Sequence, residues 1–108
     1  MTQKYLLALA LICLALSALA CATSRSASAA KIADADERMI ESCRFLGEVD
    51  GQSPLPGVSG VASAKNMAAN AAAELGATHI VWHSTSPGSG DSNSYAGGRA
   101  YRCEPADG

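Results

Sequence analysis

Hydrophobic residues are spread unevenly along the chain, and the densest apolar run lies near the N-terminus. Residues 5–19 are almost continuously apolar, follow Lys4 and end in small side chains. A positive residue, an apolar stretch and a small-residue end are the three parts of a secretory signal peptide. The run is shorter than the roughly 20 apolar residues that span a bilayer. Residues 1–20 are therefore predicted to be a signal peptide that is removed on export.

The residues around Cys21 indicate how that signal is processed. Ala18-Leu19-Ala20-Cys21 places a small residue directly before a cysteine, as the bacterial lipobox does, although the lipobox prefers leucine where Ala18 stands. Ala18 and Ala20 also match an ordinary A-x-A cleavage site, which would release a soluble protein. We expect Cys21 to carry lipid, with palmitate as an acyl group, because a linker gives no other reason for a cysteine there.

Three later stretches have the alternation, or the β-branched and aromatic content, that is typical of strands: residues 43–49, 78–84 and 98–103. In the first of them, Cys43, Phe45 and Val49 share one face at period two. Asp50-Gly51 follows directly and predicts a turn. The mature chain is therefore expected to contain a small sheet.

Between the first two strands, small and apolar residues recur at spacings of three and four. This pattern predicts a helix from about Ser63 to Leu75, with Ser59 or Ser63 as the N-cap and Gly76 as the αL residue that ends it. Glycine, proline and serine are concentrated in two segments that are predicted to be loops: residues 52–60 and 85–97.

The patterns divide the chain into four parts: a signal peptide (1–20), a lipidated N-terminus with a flexible tether (21–38), one small α+β domain (39–104) and a tail (105–108). The tether prediction depends on residues 22–30, whose small side chains show no periodicity. Residues 31–41 fit either a short edge strand or a helical turn.

Charge and cysteine content change this picture in two ways. Removing the signal peptide takes away Lys4, so seven Lys and Arg remain against ten Asp and Glu, a net charge of −3 that gives no basis for nucleic-acid binding. Cys13 leaves with the signal peptide and Cys21 is assigned to the lipid, so Cys43 and Cys103 remain as a pair. In an oxidising compartment we expect these two to form a disulfide, which a domain this small needs for stability.

That disulfide constrains the order of the strands. Bridged cysteines have Cα atoms about 4.4–6.8 Å apart, whereas next-nearest strands are about 9.5 Å apart, so the first and third strands must be neighbours. The predicted fold is α+β with β-α-β-β connectivity: a three-stranded mixed sheet of order 1-3-2, one helix packed on one face and one disulfide. In this register Phe45 pairs with Tyr101 on the core face, and Arg44 pairs with Arg102 on the other face.

Few side chains suggest chemistry of their own. His79 and His83 share one face of the second strand and offer a weak metal site, but no third ligand lies near them in sequence. No serine stands in a G-x-S-x-G context, and the acidic residues of 34–41 have no fixed partner, so we expect neither an enzyme nor a cofactor. The candidates for a partner-binding surface are Trp82, Tyr95, Arg44 and Arg102.

Three segments together resemble a family of small bacterial lipoproteins: Cys43-Arg-Phe-Leu-Gly-Glu-Val-Asp-Gly51, Asn70-Ala-Ala-Ala-Glu-Leu-Gly-Ala-Thr-His-Ile-Val-Trp-His83 and Gly98-Arg-Ala-Tyr-Arg-Cys103. The chain looks like relatives of the Rcs envelope-stress sensor over about residues 43–103. It is most similar to their uncharacterised members, because the sensor's folded domain has two disulfides and this chain offers one cysteine pair. The resemblance implies a compact α+β domain on the periplasmic side of the outer membrane.

We therefore expect a lipoprotein of the cell envelope, held in the outer membrane by lipid on Cys21 and facing the periplasm. Ala22, in place of aspartate after Cys21, favours release to the outer membrane. The expected function is non-enzymatic binding or sensing of an envelope component whose identity the sequence does not give. The alternative is a soluble periplasmic or secreted protein with a weak metal site at His79 and His83.

Overall fold

The structure is a computed structural model that describes residues 22–104. The predicted signal peptide, Cys21 and the C-terminal tail lie outside these residues. The elements in chain order are a short 3-10 helix (Ala29–Lys31), β1 (Ala33–Asp34), β2 (Arg44–Ser53), α1 (Gly57–Glu74), β3 (His79–Ser86) and β4 (Ser94–Arg102). One α-helix, a mixed sheet and a disulfide confirm the predicted α+β class.

The four strands form one sheet in the order β1-β3-β4-β2. β4 lies antiparallel to both β2 and β3, and β1 lies parallel to β3. The three long strands have the predicted neighbours, but the predicted count of three strands is wrong. β1 is only two residues long, too short to show alternation. It joins the sheet through hydrogen bonds from Ala33 N to Thr78 O (3.0 Å) and from Ala35 N to Ile80 O (2.9 Å).

β2 is longer than predicted and passes through Asp50-Gly51 without turning. Gly51 pairs with Ala96 of β4, and a Cβ atom on Gly51 would overlap the carbonyl oxygen of Ala64 in α1. Glycine is needed here for the close approach of helix and sheet, and not for a turn. The predicted loops are correspondingly shorter and cover residues 54–56 and 87–93.

α1 begins at Gly57, earlier than the predicted start at Ser63, and Pro56 occupies the N-cap position. Gly76 has a φ of 84° directly after the last turn, as predicted for the residue that ends the helix. The buried part of α1 toward the sheet consists of small side chains. Its fully buried members are Ala64, Ala68, Ala69 and Ala72. Because methyl groups are short, the helix backbone lies close to the sheet.

Two β-bulges decide which side chains of the sheet face α1. The register of β2 against β4 shifts between Phe45 and Gly47, and that of β3 against β4 shifts between Trp82 and Ser84. A bulge adds one unpaired residue and reverses the alternation of sides along the strand. As a result, Val49 packs in the core under α1, whereas Phe45 does not.

Phe45 pairs with Tyr101 as predicted, but on the wrong side of the sheet. The two ring centroids are 5.6 Å apart on the side away from α1, and Phe45 is 53% exposed. Tyr101 there belongs to a second, smaller cluster with Ile40 and Val81. The prediction assumed unbroken alternation over residues 43–49, which the bulge in β2 interrupts.

The segment predicted to be a flexible tether packs on α1. Ala29 is fully buried and Ile32 is 6% exposed, and both belong to the main core. The folded unit therefore begins near residue 23 and not at residue 39. Small residues without periodicity suggested a linker, but small side chains also fit closely against the alanine-rich surface of a helix.

Candidate functional site

Polar side chains of α1 hold the first described residues against the helix. The backbone N–H of Thr23 donates to Ser63 Oγ at 3.0 Å. Asn66 makes two hydrogen bonds: its Nδ2 donates to Thr23 O, and its Oδ1 accepts from Arg25 Nε, both at 2.9 Å. These bonds join residues about 40 positions apart in sequence, so they fix the path of the N-terminal segment along the helix.

Asn70, one helical turn beyond Asn66, continues this contact. Its Oδ1 accepts from Ser26 N at 2.8 Å, and its Nδ2 donates to Ser24 O at 3.0 Å. We call these five hydrogen bonds the N-terminal clamp. Neither asparagine is among the residues for which the sequence predicts a role. Asparagine is a poor helix former, and two asparagines four residues apart in an alanine-rich helix lie on the same face. That pattern is the sequence signal that could have indicated a contact there.

The clamp lies close to the predicted lipidation site. Cys21 itself lies outside the described residues, and its place in the sequence is two residues before Thr23. The structure thus shows the surface of α1 that receives the chain just after Cys21, and this surface is the part of the helix around Ser63.

The predicted disulfide between Cys43 and Cys103 is present, with a Cα–Cα distance of 4.4 Å and a sequence separation of 60. It links the residue before β2 to the residue after β4, at the same end of the sheet. Both cysteines pack against the small cluster that contains Tyr101. The bond therefore stabilises the side of the sheet that α1 does not cover.

His79 and His83 have different hydrogen-bond partners. His79 Nδ1 lies 2.8 Å from Thr78 Oγ1, and His83 Nε2 lies 3.0 Å from Glu48 Oε2 on β2. Residues four apart in a strand are separated by about 13 Å, which is too far for both to ligate one ion. In the part of the chain that the structure describes, no three His, Cys, Asp or Glu side chains lie close enough together to hold a metal ion.

Trp82 and Tyr95, two of the predicted partner-binding residues, lie on opposite sides of the sheet. Trp82 packs against the core under α1, and its Nε1 donates to Asp34 Oδ1 at 2.8 Å. The ring of Tyr95 lies over Gly97 on the other side. The four predicted residues therefore do not form one surface.

Arg44 and Arg102, the other two, pair across β2 and β4 as predicted. They lie on the α1 side of the sheet, however, and not on the other face. Arg102 Nη1 donates to Gly76 O at 3.1 Å, and its Nε donates to Glu104 Oε1 at 3.0 Å. The carbonyl end of a helix carries partial negative charge. This charge and the Glu104 carboxylate offset the repulsion between the two guanidinium groups.

The sheet surface away from α1 carries a group of exposed polar side chains. Exposure alternates along β2 from Glu48 onward, so Glu48, Asp50 and Gln52 point away from the helix. Glu48 contacts His83 of β3, and it pairs in register with Arg99 of the central strand β4. We call these five residues the open face.

The ion pairs of the open face are weak. His83 and Glu48 are 3.0 Å apart, and Arg99 Nη2 lies 3.6 Å from Glu37 Oε1. The side chains of Glu48 and Glu37 are 63% and 66% exposed. Exposed pairs of this kind contribute about 0–1 kcal/mol. A partner that supplies its own hydrogen bonds can therefore replace them with little loss of stability.

Comparison with known proteins yields no assignment: no family model matches the chain, and no curated protein or solved structure matches it significantly. Within residues 22–104, no helix is both long and apolar enough to cross a bilayer.

Proposed function

We propose that the protein is a lipid-anchored, non-enzymatic domain of the bacterial envelope that binds or senses another envelope component. The observation that carries this proposal is the N-terminal clamp, because it ties the residues after Cys21 directly to α1. A lipid on Cys21 would then hold the whole folded unit at the membrane. The signal-peptide pattern of residues 1–20 and the lipobox support the anchor. The resemblance to relatives of the Rcs sensor supports the outer membrane and its periplasmic side.

The open face is the surface that we assign to the partner. The N-terminal segment and α1 occupy the other side of the sheet, whereas the open face presents carboxylate, amide, imidazole and guanidinium groups to solvent. Tyr95 borders this face, since it pairs with Gln52. Its half-buried ring adds apolar contact area beside the hydrogen-bonding groups.

Lipidation is tested by growing cells that express the full chain with a clickable fatty acid. We expect label on the natural chain and on Cys13→Ser, and none on Cys21→Ser. Cys13→Ser is the matched control, because it removes a cysteine that leaves with the predicted signal peptide. The mass of the N-terminal peptide then identifies the processing pathway. The lipobox pathway and the A-x-A pathway both leave Cys21 as the first residue, but only the lipobox pathway adds lipid to it. An unlabelled natural chain, or label that persists in Cys21→Ser, would refute the anchor.

The partner surface is tested by photo-crosslinking in intact cells. A crosslinking residue at Gln52 on the open face is compared with one at Glu74, an exposed position at the end of α1. We expect a discrete adduct from position 52, lost when Arg99 is replaced by alanine, and no such adduct from position 74. Equal adducts from both positions, or an adduct only from position 74, would contradict the assignment of the open face.

A further inference from the structure

An apolar patch lies at the start of α1, beside the loop after β3. Its members are Val58, Val61, Ala62, Lys65 and Pro87. Val58 is 88% exposed, the largest value among the big hydrophobic side chains in the described part of the chain. Burying such an exposed apolar side chain away from water is favourable. Lys65 adds a positive charge, with Nζ 5.3 Å from the centroid of the Trp82 ring.

The patch is close to the place where the lipid would be attached. Thr23, two residues after Cys21 in the sequence, is hydrogen-bonded to Ser63 of α1. Val58 and Ser63 are separated by about 7.5 Å along the helix axis. The contact between the N-terminal segment and Ser63 is therefore less than two helical turns from Val58.

The charges around the patch suit a phospholipid surface. Residues 22–30 and 54–66 contain no Asp or Glu, and their two charged residues are Arg25 and Lys65. The Asp34 carboxylate is hydrogen-bonded to Trp82 Nε1, and the Trp82 ring contacts Lys65, but Asp34 is not a member of the patch. Headgroup phosphates and anionic lipids attract such basic side chains. Apolar side chains beside cations are the combination that binds at the boundary between headgroups and acyl chains.

We infer that this patch rests on the phospholipid headgroups of the membrane that holds the Cys21 lipid, with Val58 inserted among them. The inference depends on the proposed lipid anchor. Because only Ala22 separates the lipid-bearing cysteine from Thr23, which is bonded to α1, the helix layer lies between the membrane and the sheet. The open face on the far side of the sheet then points away from the bilayer, toward a partner.

The inference is tested with a fluorophore on a single introduced cysteine. The full chain, processed in cells, is reconstituted in vesicles of phosphatidylethanolamine and phosphatidylglycerol that contain brominated acyl chains. Val58→Cys is compared with Gln52→Cys, a matched exposed position on the open face. Each variant carries one reactive thiol, because Cys43 and Cys103 are bonded to each other and the lipid occupies Cys21. We expect a blue shift and loss of emission at position 58, and the emission typical of water at position 52.

The outcomes separate the anchor from the orientation. A mature chain whose mass shows no lipid refutes the proposed function and the inference together. A lipidated chain whose fluorophore at position 58 is unquenched and unshifted overturns the inference alone. A blue shift without bromine quenching also overturns it, because a second copy of the chain then covers the patch. Val58→Asp, labelled at an added Ala62→Cys, is expected to lose the quenching that Ala62→Cys alone shows.

Discussion

Releasing the N-terminal clamp should expose the peptide bond after Arg25 to trypsin without unfolding the domain. The double variant Asn66→Ala/Asn70→Ala removes four of the five clamp hydrogen bonds. One intramolecular hydrogen bond contributes about 0.5–1.5 kcal/mol net. These groups are exposed or half-buried, so the lower end applies, and four bonds amount to about 2 kcal/mol. That free energy corresponds to a roughly 30-fold larger population of the released segment.

The assay measures initial cleavage rates by mass spectrometry. Trypsin must take up the Arg25 side chain, whose Nε is bonded to Asn66 in the clamp, so cleavage reports the released state. We expect the rate after Arg25 to rise about 30-fold in the double variant. The rate after Arg38, an exposed position outside the clamp, should stay constant in the same sample.

A matched variant and a melting curve control for other effects. Asn93→Ala makes the same substitution in the exposed loop of residues 87–93 and should leave the rate after Arg25 unchanged. Alanine favours the helix over asparagine by up to about 0.7 kcal/mol per residue, so the double variant should lose little in Tm. Equal cleavage after Arg25 in the natural chain and the double variant would refute the clamp as the element that holds the segment.

Two further predictions concern the folded core. Replacing both Cys43 and Cys103 by alanine should lower the free energy of unfolding by about 4 kcal/mol in a urea titration, because the chain-entropy model assigns that value to a bridge with a sequence separation of 60. Reductant should have the same effect on the natural protein, and an unchanged urea midpoint would contradict the stabilising role of the disulfide. Gly51→Ala should destabilise by about 1–3 kcal/mol, because its Cβ would overlap the Ala64 carbonyl. Gly90→Ala, whose Cβ would meet nothing within 4 Å, is the control. An equal loss of stability in both variants would refute the requirement for glycine where β2 approaches α1.

The long elements could be predicted because each repeats a pattern over many residues. Strand content, helical spacing and the cysteine pair identified the three long strands, their neighbours and the disulfide. The bulges could not be predicted, since Leu46 and His83 continue ordinary strand composition and nothing marks either as an extra residue. One inserted residue reverses all later sides of a strand, which is why Phe45 was assigned to the wrong face.

The surfaces were harder to predict than the fold. Trp82 and Arg102 were chosen as candidate partner residues for their chemistry, but the fold uses each of them internally, against Asp34 and against the end of α1. Four of the five clamp hydrogen bonds join a side chain of α1 to the backbone of residues at least 40 positions away, and such contacts leave no local periodicity in the sequence. His83 and Glu48 meet across β4 for the same reason, through sheet order and not through sequence spacing.

The clamp also determines how the domain responds to mechanical tension. A pull at the N-terminus directed away from α1 would load the hydrogen bonds at Thr23, Ser24 and Ser26 one after another, so the segment would peel from the helix in steps. Peeling would stop at Ala29 and Ile32, which are buried in the core, and at β1, which pairs with β3. The released residues 22–28 would have an extended length of about 25 Å. The disulfide-bonded sheet would keep its structure during this extension, because none of its strands lies in the released segment.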